Sequence, residues 1–180
     1  MPSVGHIAVG LAASRFPHPP PGVRRRLWAP ILIFLSCLPD ADVIAFSLGI
    51  PYGAPFGHRG AFHSLAFGAA CGVGLGVLAA FAKLPVWRLG AITALVVASH
   101  GLLDTLTDGG LGVALLWPFS NERYFASWRP IPVAPLGARL FAHRGLELML
   151  HECLLFLPLF VAGIVPLRGS RSRMSNREHR

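Results

Sequence analysis

Titratable side chains recur inside otherwise apolar stretches of this sequence. His100 and Asp104 are four residues apart, and so are His143 and Glu147. In a helix this spacing places both side chains of a pair on one face. Because neutral imidazole and carboxylate are common ligands of zinc and related divalent ions, the two pairs predict helix faces that present metal ligands.

Other histidines and acids are expected at the same level of the molecule. If the apolar stretches alternate in direction across a bundle, all of these residues fall toward one end of it. Ionisable residues in membrane helices are energetically costly and usually functional. The predicted metal ligands are His6, Asp40, His58, His63, His100, Asp104, His143, Glu147 and His151.

Two more residues have predicted catalytic roles. Asp42 is the candidate general base if Asp40 binds the metal. Arg59 follows His58 directly, and its planar guanidinium is suited to hold a phosphate or carboxylate oxygen with two hydrogen bonds. A structural salt bridge between Arg59 and one of the acids is an equally open interpretation.

The elements that must position these residues follow from composition. Hydrophobic residues make up 53% of the 180 residues before the 20 glycines are counted, charged residues make up 13%, and mean hydropathy is +0.57. Ordinary soluble domains carry about 25% charged residues. These values exclude a disordered chain, a coiled coil and an ordinary soluble domain, and they predict one integral membrane domain over residues 1–167.

Apolar runs of about 20 residues, the length that spans a bilayer, predict the helices. A backbone in lipid must form its own hydrogen bonds, so the expected fold is an all-α polytopic bundle with four long helices and a short N-terminal helix. The loop 108–144, with its Trp, Tyr and Pro residues, is expected to lie at the membrane interface. The four long spans are predicted at 27–50, 61–82, 89–107 and 145–167, and the short helix at 3–16.

The placement of positive charge predicts the orientation. Although the net charge is +8, eleven of the 16 Lys and Arg residues lie in three groups bordering apolar runs, within 15–26, 83–88 and 168–180. Such groups are typical of cytoplasmic segments of membrane proteins, so we expect no nucleic-acid partner. The C-terminus and its basic tail, 168–180, are predicted in the cytoplasm, and the metal site at the outer face.

Three segments, 38–42, 58–64 and 99–104, together resemble motifs of the bacterial family of inner-membrane metal-dependent hydrolases. The resemblance extends over residues 1–165, and its most specific part is the His-Arg-Gly block with the following His-Ser. It implies a multi-pass protein of the bacterial inner membrane with hydrolase activity.

A more distant resemblance is to zinc-dependent phospholipase C and the related single-strand nucleases. It implies phosphoester hydrolysis at a zinc cluster. Those enzymes place a further histidine where this chain has none between Asp104 and His143, so we expect one or two ions. The matched ligand positions are His6, Asp40, His63, His100, Asp104, His143 and Glu147.

The first functional hypothesis is therefore a membrane-bound metal-dependent hydrolase. Its substrate is expected to be a small-molecule or lipid-linked phosphoester, met at the lipid surface. Two alternatives stay open. Membrane-embedded Asp and His also serve divalent-metal or proton transporters, and a closed site would make the ion a structural element.

Overall fold

The computed structural model describes residues 3–15, 19–133 and 143–164. Within these residues the regular structure is helical, and extended pairing is limited to two isolated bridges, which confirms the all-α prediction. The helices are α1 (Ser3–Ala13), α2 (Arg25–Cys37), α3 (Ile44–Ser47), α4 (Leu65–Phe81), α5 (Val86–Thr105), α6 (His143–Leu155) and α7 (Leu157–Ile164), with 3-10 helices at Leu38–Val43 and Ala61–His63.

The number of long spans differs from the prediction of four. Among the described residues, Arg26–Ser47 and Val86–Thr105 are long and apolar enough to cross a membrane, and α6 with α7 adds a third if the bent pair is one span. The predicted span 61–82 is shorter because 61–63 form a 3-10 turn, which leaves 17 residues for α4. At about 1.5 Å per residue, α4 is roughly 25 Å long, against a hydrocarbon core of about 30 Å.

The last predicted span is divided by a bend. Helices α6 and α7 meet at Phe156 with an angle of 60°. Pro158 follows the break, and a proline ring lacks the N–H and clashes with the carbonyl four residues earlier. The remaining residues of this prediction, 165–167, and the basic tail lie outside the described part of the chain.

Helices α4 and α5 pack closely along the glycine positions of α4. A Cβ at Gly68 would lie 2.9 Å from the Cβ of Ala98, and one at Gly72 would lie 2.6 Å from the Gly90 carbonyl oxygen. These glycines therefore serve close contact between two helices of the same chain. This contact fixes α4 against α5, so the residues that begin α4 lie beside the residues that end α5.

The segment after α5 has irregular structure, and hydrogen bonds hold it in place. Thr107 pairs with Ile131 and Val113 pairs with Tyr124 in isolated bridges. The side chain of Asp108 accepts a hydrogen bond from the Val133 backbone N–H at 2.7 Å. Of the predicted loop 108–144, residues 108–133 have these contacts, 134–142 lie outside the described residues, and α6 already begins at His143.

Candidate metal centre

Five predicted ligands from two α-helices and two 3-10 helices converge at one end of the bundle. His6 comes from the start of α1, Asp40 and His63 from the 3-10 helices, and His100 with Asp104 from the end of α5. Ligand atoms of four of them lie within 4.8 Å of one another, and His6 Nε2 lies 3.5 Å from Asp104 Oδ1. We call this set, His6, Asp40, His63, His100 and Asp104, the Asp/His cluster.

The polar atoms at the centre of the cluster face each other without hydrogen bonds. His100 Nε2 lies 3.2 Å from Asp40 Oδ1, and His63 Nε2 lies 3.5 Å from oxygens of both Asp40 and Asp104. All of these atoms are buried and lack a hydrogen-bond partner among the described residues. Buried polar atoms are nearly always paired, so this convergence fits a bound cation.

The tautomer of His100 strengthens that argument. His100 Nδ1 lies 2.7 Å from the carbonyl oxygen of Ser36, so Nδ1 is the donor and the neutral ring carries its lone pair on Nε2. That lone pair points at a carboxylate oxygen of Asp40, which is unfavourable unless a cation or proton lies between them. A metal-binding histidine typically makes this kind of second hydrogen bond, which fixes the ring.

Local sequence places the ligands. Pro39 lies in the first turn of the tight 3-10 helix Leu38–Val43. This helix brings Asp40 next to His100, near the end of α5. Gly101 is required beside His100, because a Cβ there would overlap the backbone carbonyl of His63. Ser64 caps α4 by accepting from the Phe67 N–H at 3.0 Å, so the chain turns sharply just after His63.

Asp42, predicted as a general base, lies behind His63. Its Oδ2 is 3.0 Å from His63 Nδ1, and its Oδ1 accepts from His58 Nδ1 at 2.7 Å. The Arg59 backbone N–H also donates to Asp42 Oδ2 at 3.2 Å. His58 therefore contacts Asp42, and Asp42 is placed to orient the His63 ring. Asp42, His58 and His63 also form a second group whose ligand atoms are close enough for an ion.

Arg59 is almost fully buried beside the cluster. Its Nε lies 3.0 Å from Asp104 Oδ2, and its Nη1 donates to Thr107 Oγ1 at 2.8 Å and to the Gly109 carbonyl at 2.9 Å. Its Nη2 has no hydrogen-bond partner among the described residues. The guanidinium thus pairs with an acid and also retains a donor group for another anion.

The backbone of Arg59 is strained. Its φ is 61°, a left-handed value that costs a non-glycine residue about 1–3 kcal/mol. Backbone hydrogen bonds hold it there, since the Arg59 N–H binds Asp42 and the Arg59 carbonyl accepts from Ala114 N at 3.0 Å. Such strain occurs mainly at functional sites.

The ionisable side chains in and around the Asp/His cluster include more acids than arginines. Three carboxylates, from Asp40, Asp42 and Asp104, contact His63, and one guanidinium, that of Arg59, pairs with Asp104. Burial opposes protonation of His63, but contacts with Asp104, Asp40 and Asp42 outweigh it and raise its pKa to about 10. A histidine that binds a metal ion is neutral; with neutral histidines the three carboxylates and Arg59 leave two negative charges, and buried charge requires compensation. A divalent cation would supply that compensation.

The predicted ligands of α6 are not brought to the cluster. His143 Nδ1 and Glu147 Oε1 lie 3.5 Å apart, but their side chains are 91% and 63% exposed, and His151 is exposed too. The buried acid of α6 is Glu152, whose Oε2 accepts from the Val4 N–H at 3.2 Å. Glu152 thus binds a backbone group of the helix that carries His6.

Residues that hold Arg59 and its loop were not predicted. Arg123 donates from Nη1 to the carbonyls of His58 and Gly112, and from Nη2 to those of Tyr52 and Ala54. Thr107 binds Arg59 directly. The sequence shows Arg123 only as one charge in a loop, and nothing in its spacing indicates these contacts.

Fold and site together define an all-helical membrane protein with a buried group of Asp and His residues whose ligand atoms are close enough to hold a metal ion. The chain belongs to the YdjM inner membrane protein family, whose model matches residues 1–169. It is 41% identical over 126 residues to the inner membrane protein YbcI of Escherichia coli (strain K12), covering 67% of this chain and 70% of that protein. No solved structure matches it. The bacterial inner-membrane location expected from the motifs is thereby confirmed, while hydrolysis stays a prediction.

Proposed function

We propose that this protein is a metal-dependent hydrolase of the bacterial inner membrane that acts on a phosphoester. The observation that supports it is the convergence of buried, unpaired nitrogen and oxygen atoms beside an arginine with a free donor group. A divalent ion, of which zinc fits the nitrogen and oxygen donors, would be held by Asp40, His63, His100 and Asp104. His6 with the other oxygen of Asp104 would hold a second ion.

Such an ion supplies a bound water whose pKa falls to about 7, and thus a nucleophile at neutral pH. The residues of the chain then have separate roles. Arg59 Nη2 binds an oxygen of the substrate phosphate while Nε stays paired with Asp104. Asp42 orients His63, since both of its oxygens already have partners in the protein.

The test is hydrolysis by detergent-purified protein of chromogenic phosphate monoesters and diesters. Activity should disappear on chelation and return with added divalent ion. His100→Ala should be inactive, and Glu147→Ala, which removes an exposed acid, should match wild type. Absence of activity from metal-loaded wild-type protein on both ester classes would contradict the proposal.

The burial of the cluster favours a second candidate, a structural metal site. The side chains of His63, His100 and Asp104 have no exposed surface, and Asp40 alone among these four reaches 12%. Structural ions lie in closed sites, whereas catalytic ions keep an open position. Chelation decides between the two, because removal of a structural ion should unfold the helices, which circular dichroism would detect.

The orientation is part of the same proposal. The arginines within 15–26, near the start of α2, and the basic residues within 83–88, near the start of α5, are assigned to the cytoplasm, which puts the cluster at the outer face. A C-terminal reporter that is active only in the cytoplasm should be active. A reporter active only in the outer compartment would overturn this assignment.

A further inference from the structure

An apolar groove lies directly against the 3-10 helix that carries Asp40. Its volume is about 420 Å³, within the range of roughly 300–1,000 Å³ typical of ligand pockets. Its walls come from the segment 38–50, the following loop and the start of α4. We call it the Asp42 groove; its lining is Leu38, Ala41, Asp42, Ile44, Ala45, Leu48, Ile50, Phe56, Phe62 and Phe67.

The Asp42 groove is continuous with the site. Asp42 lines the groove and also contacts His63. Phe62 and Ala41, which line it too, each precede or follow a cluster residue in the chain. Two other apolar grooves among the described residues, one between α4 and α5 and one around Trp28, contain no residue of the Asp/His cluster.

The opening of the cluster lies on the same segment. Asp40 is the partly exposed acid of the site, at 12%, while the side chains of His63, His100 and Asp104 are fully buried. Asp40 and the groove residue Ala41 are neighbours in one 3-10 helix. A molecule that approaches Asp40 along this helix therefore has an apolar wall on one side and the cluster on the other.

We infer that the Asp42 groove binds the hydrocarbon chain of the substrate, so that the substrate is a membrane lipid with a phosphoester head group. This inference rests on the proposed hydrolase function. The only charged side chain of the groove is already paired with three protein groups, so the groove offers a chain no unsatisfied charge. The phosphate would then lie outside the groove, at Arg59 and next to the ion that Asp40 would hold.

The experiment compares two alkyl phosphoesters, ethyl and dodecyl, of the ester class that the wild type cleaves, in the same detergent micelles. The wild type should favour the dodecyl ester in kcat/KM by at least about tenfold, because even one methylene in an apolar pocket can be worth about tenfold. Ala45→Phe, which fills the groove at a buried position, should bring the ratio of the two values near one.

A matched control places the same ring in another groove. Val77 lines the apolar groove between α4 and α5 and is 51% exposed, so Val77→Phe should keep the preference for the dodecyl ester. If the Ala45→Phe protein loses its metal or its fold, Phe56→Ala tests the groove assignment instead. It removes a half-exposed side chain from the wall of the groove and should also lower the preference for the dodecyl ester.

The outcomes separate the two proposals. Metal-loaded wild type that cleaves neither ester contradicts the hydrolase function, and this inference with it. Equal kcat/KM for both esters in wild type, or a preference that survives both groove variants, overturns the groove assignment and leaves the hydrolase function standing.

Discussion

The end of α5 and the start of α6 carry the same pattern, a histidine followed four residues later by an acid, in opposite surroundings. His100 and Asp104 are fully buried and face three other titratable side chains. His143 and Glu147 are exposed and contact each other. The spacing determines that two side chains share a face, but the packing of the helix determines what that face meets.

The neighbouring arginines repeat the contrast. Arg59 follows His58 and is 1% exposed, with a carboxylate and a threonine as partners. Arg144 follows His143 and is exposed. Substitutions in the two regions therefore form matched pairs in which the chemical class of the side chain is the same and burial differs.

The largest difference is expected between the two acids of the repeated pattern. Asp104→Ala removes a central oxygen pair and should weaken binding of a divalent ion by more than the ~10–100-fold that outer-shell changes cost. Glu147→Ala should leave affinity at the wild-type value. Titration calorimetry of chelator-treated protein measures both, and equal losses in the two variants would contradict the assignment of the site to α5.

The two arginines should differ in turnover. Arg59→Ala is expected to lower kcat about 10²–10³-fold, as does loss of one oxyanion donor elsewhere, with the metal content retained. Arg59→Lys should recover only part, because an ammonium lacks the planar fork. Arg144→Ala is the control and should be fully active. A stable, metal-loaded Arg59→Ala protein with wild-type turnover would remove Arg59 from the substrate site.

A smaller effect is expected at the acid that orients His63. Asp42→Asn should lower metal affinity about 10–100-fold, the usual cost of an outer-shell partner. Asp108→Asn is matched to it, since Asp108 also binds a backbone N–H but in the loop, and it should have no effect on affinity. If instead Asp42→Asn keeps affinity and loses only turnover, Asp42 is the general base.

The smallest effect is expected within α6 itself. Glu152→Ala removes the acceptor for the Val4 N–H and should lower the free energy of unfolding by about 0.5–2 kcal/mol, the cost of losing a helix cap. Glu152→Gln keeps an acceptor oxygen and should cost less. Thermal unfolding in detergent measures this, with His151→Ala as the exposed control; identical melting temperatures for all three variants would contradict it.

The sequence predicts much of the helical architecture because hydropathy and helix-breaking residues indicate it directly. The span 89–107 is found as Val86–Thr105, which ends shortly before the glycines at 109 and 110. The count of long spans is wrong where a 3-10 turn shortens α4 and where a bend divides α6 from α7. Hydropathy averages over such breaks, because the residues on both sides are apolar.

The site shows the same limit at the level of side chains. Residue type and expected position toward one end of the bundle predict five metal ligands that the structure does bring together: His6, Asp40, His63, His100 and Asp104. The sequence does not predict which face of α6 is buried, because this depends on contacts with α1 such as the hydrogen bond between Glu152 and the Val4 N–H. The left-handed backbone of Arg59 is imposed by tertiary hydrogen bonds, and arginine itself does not indicate it.

The central claim, that the Asp/His cluster binds a divalent ion, is tested most directly by metal analysis of the purified protein. Elemental analysis of wild type, His100→Ala and His151→Ala should be run on samples prepared together without added metal or chelator. We expect one or two equivalents of a divalent ion, with zinc favoured, in wild type and His151→Ala, and a clear loss in His100→Ala. Wild-type protein free of bound metal that also fails to take up added ions, or full occupancy in His100→Ala, would contradict the claim.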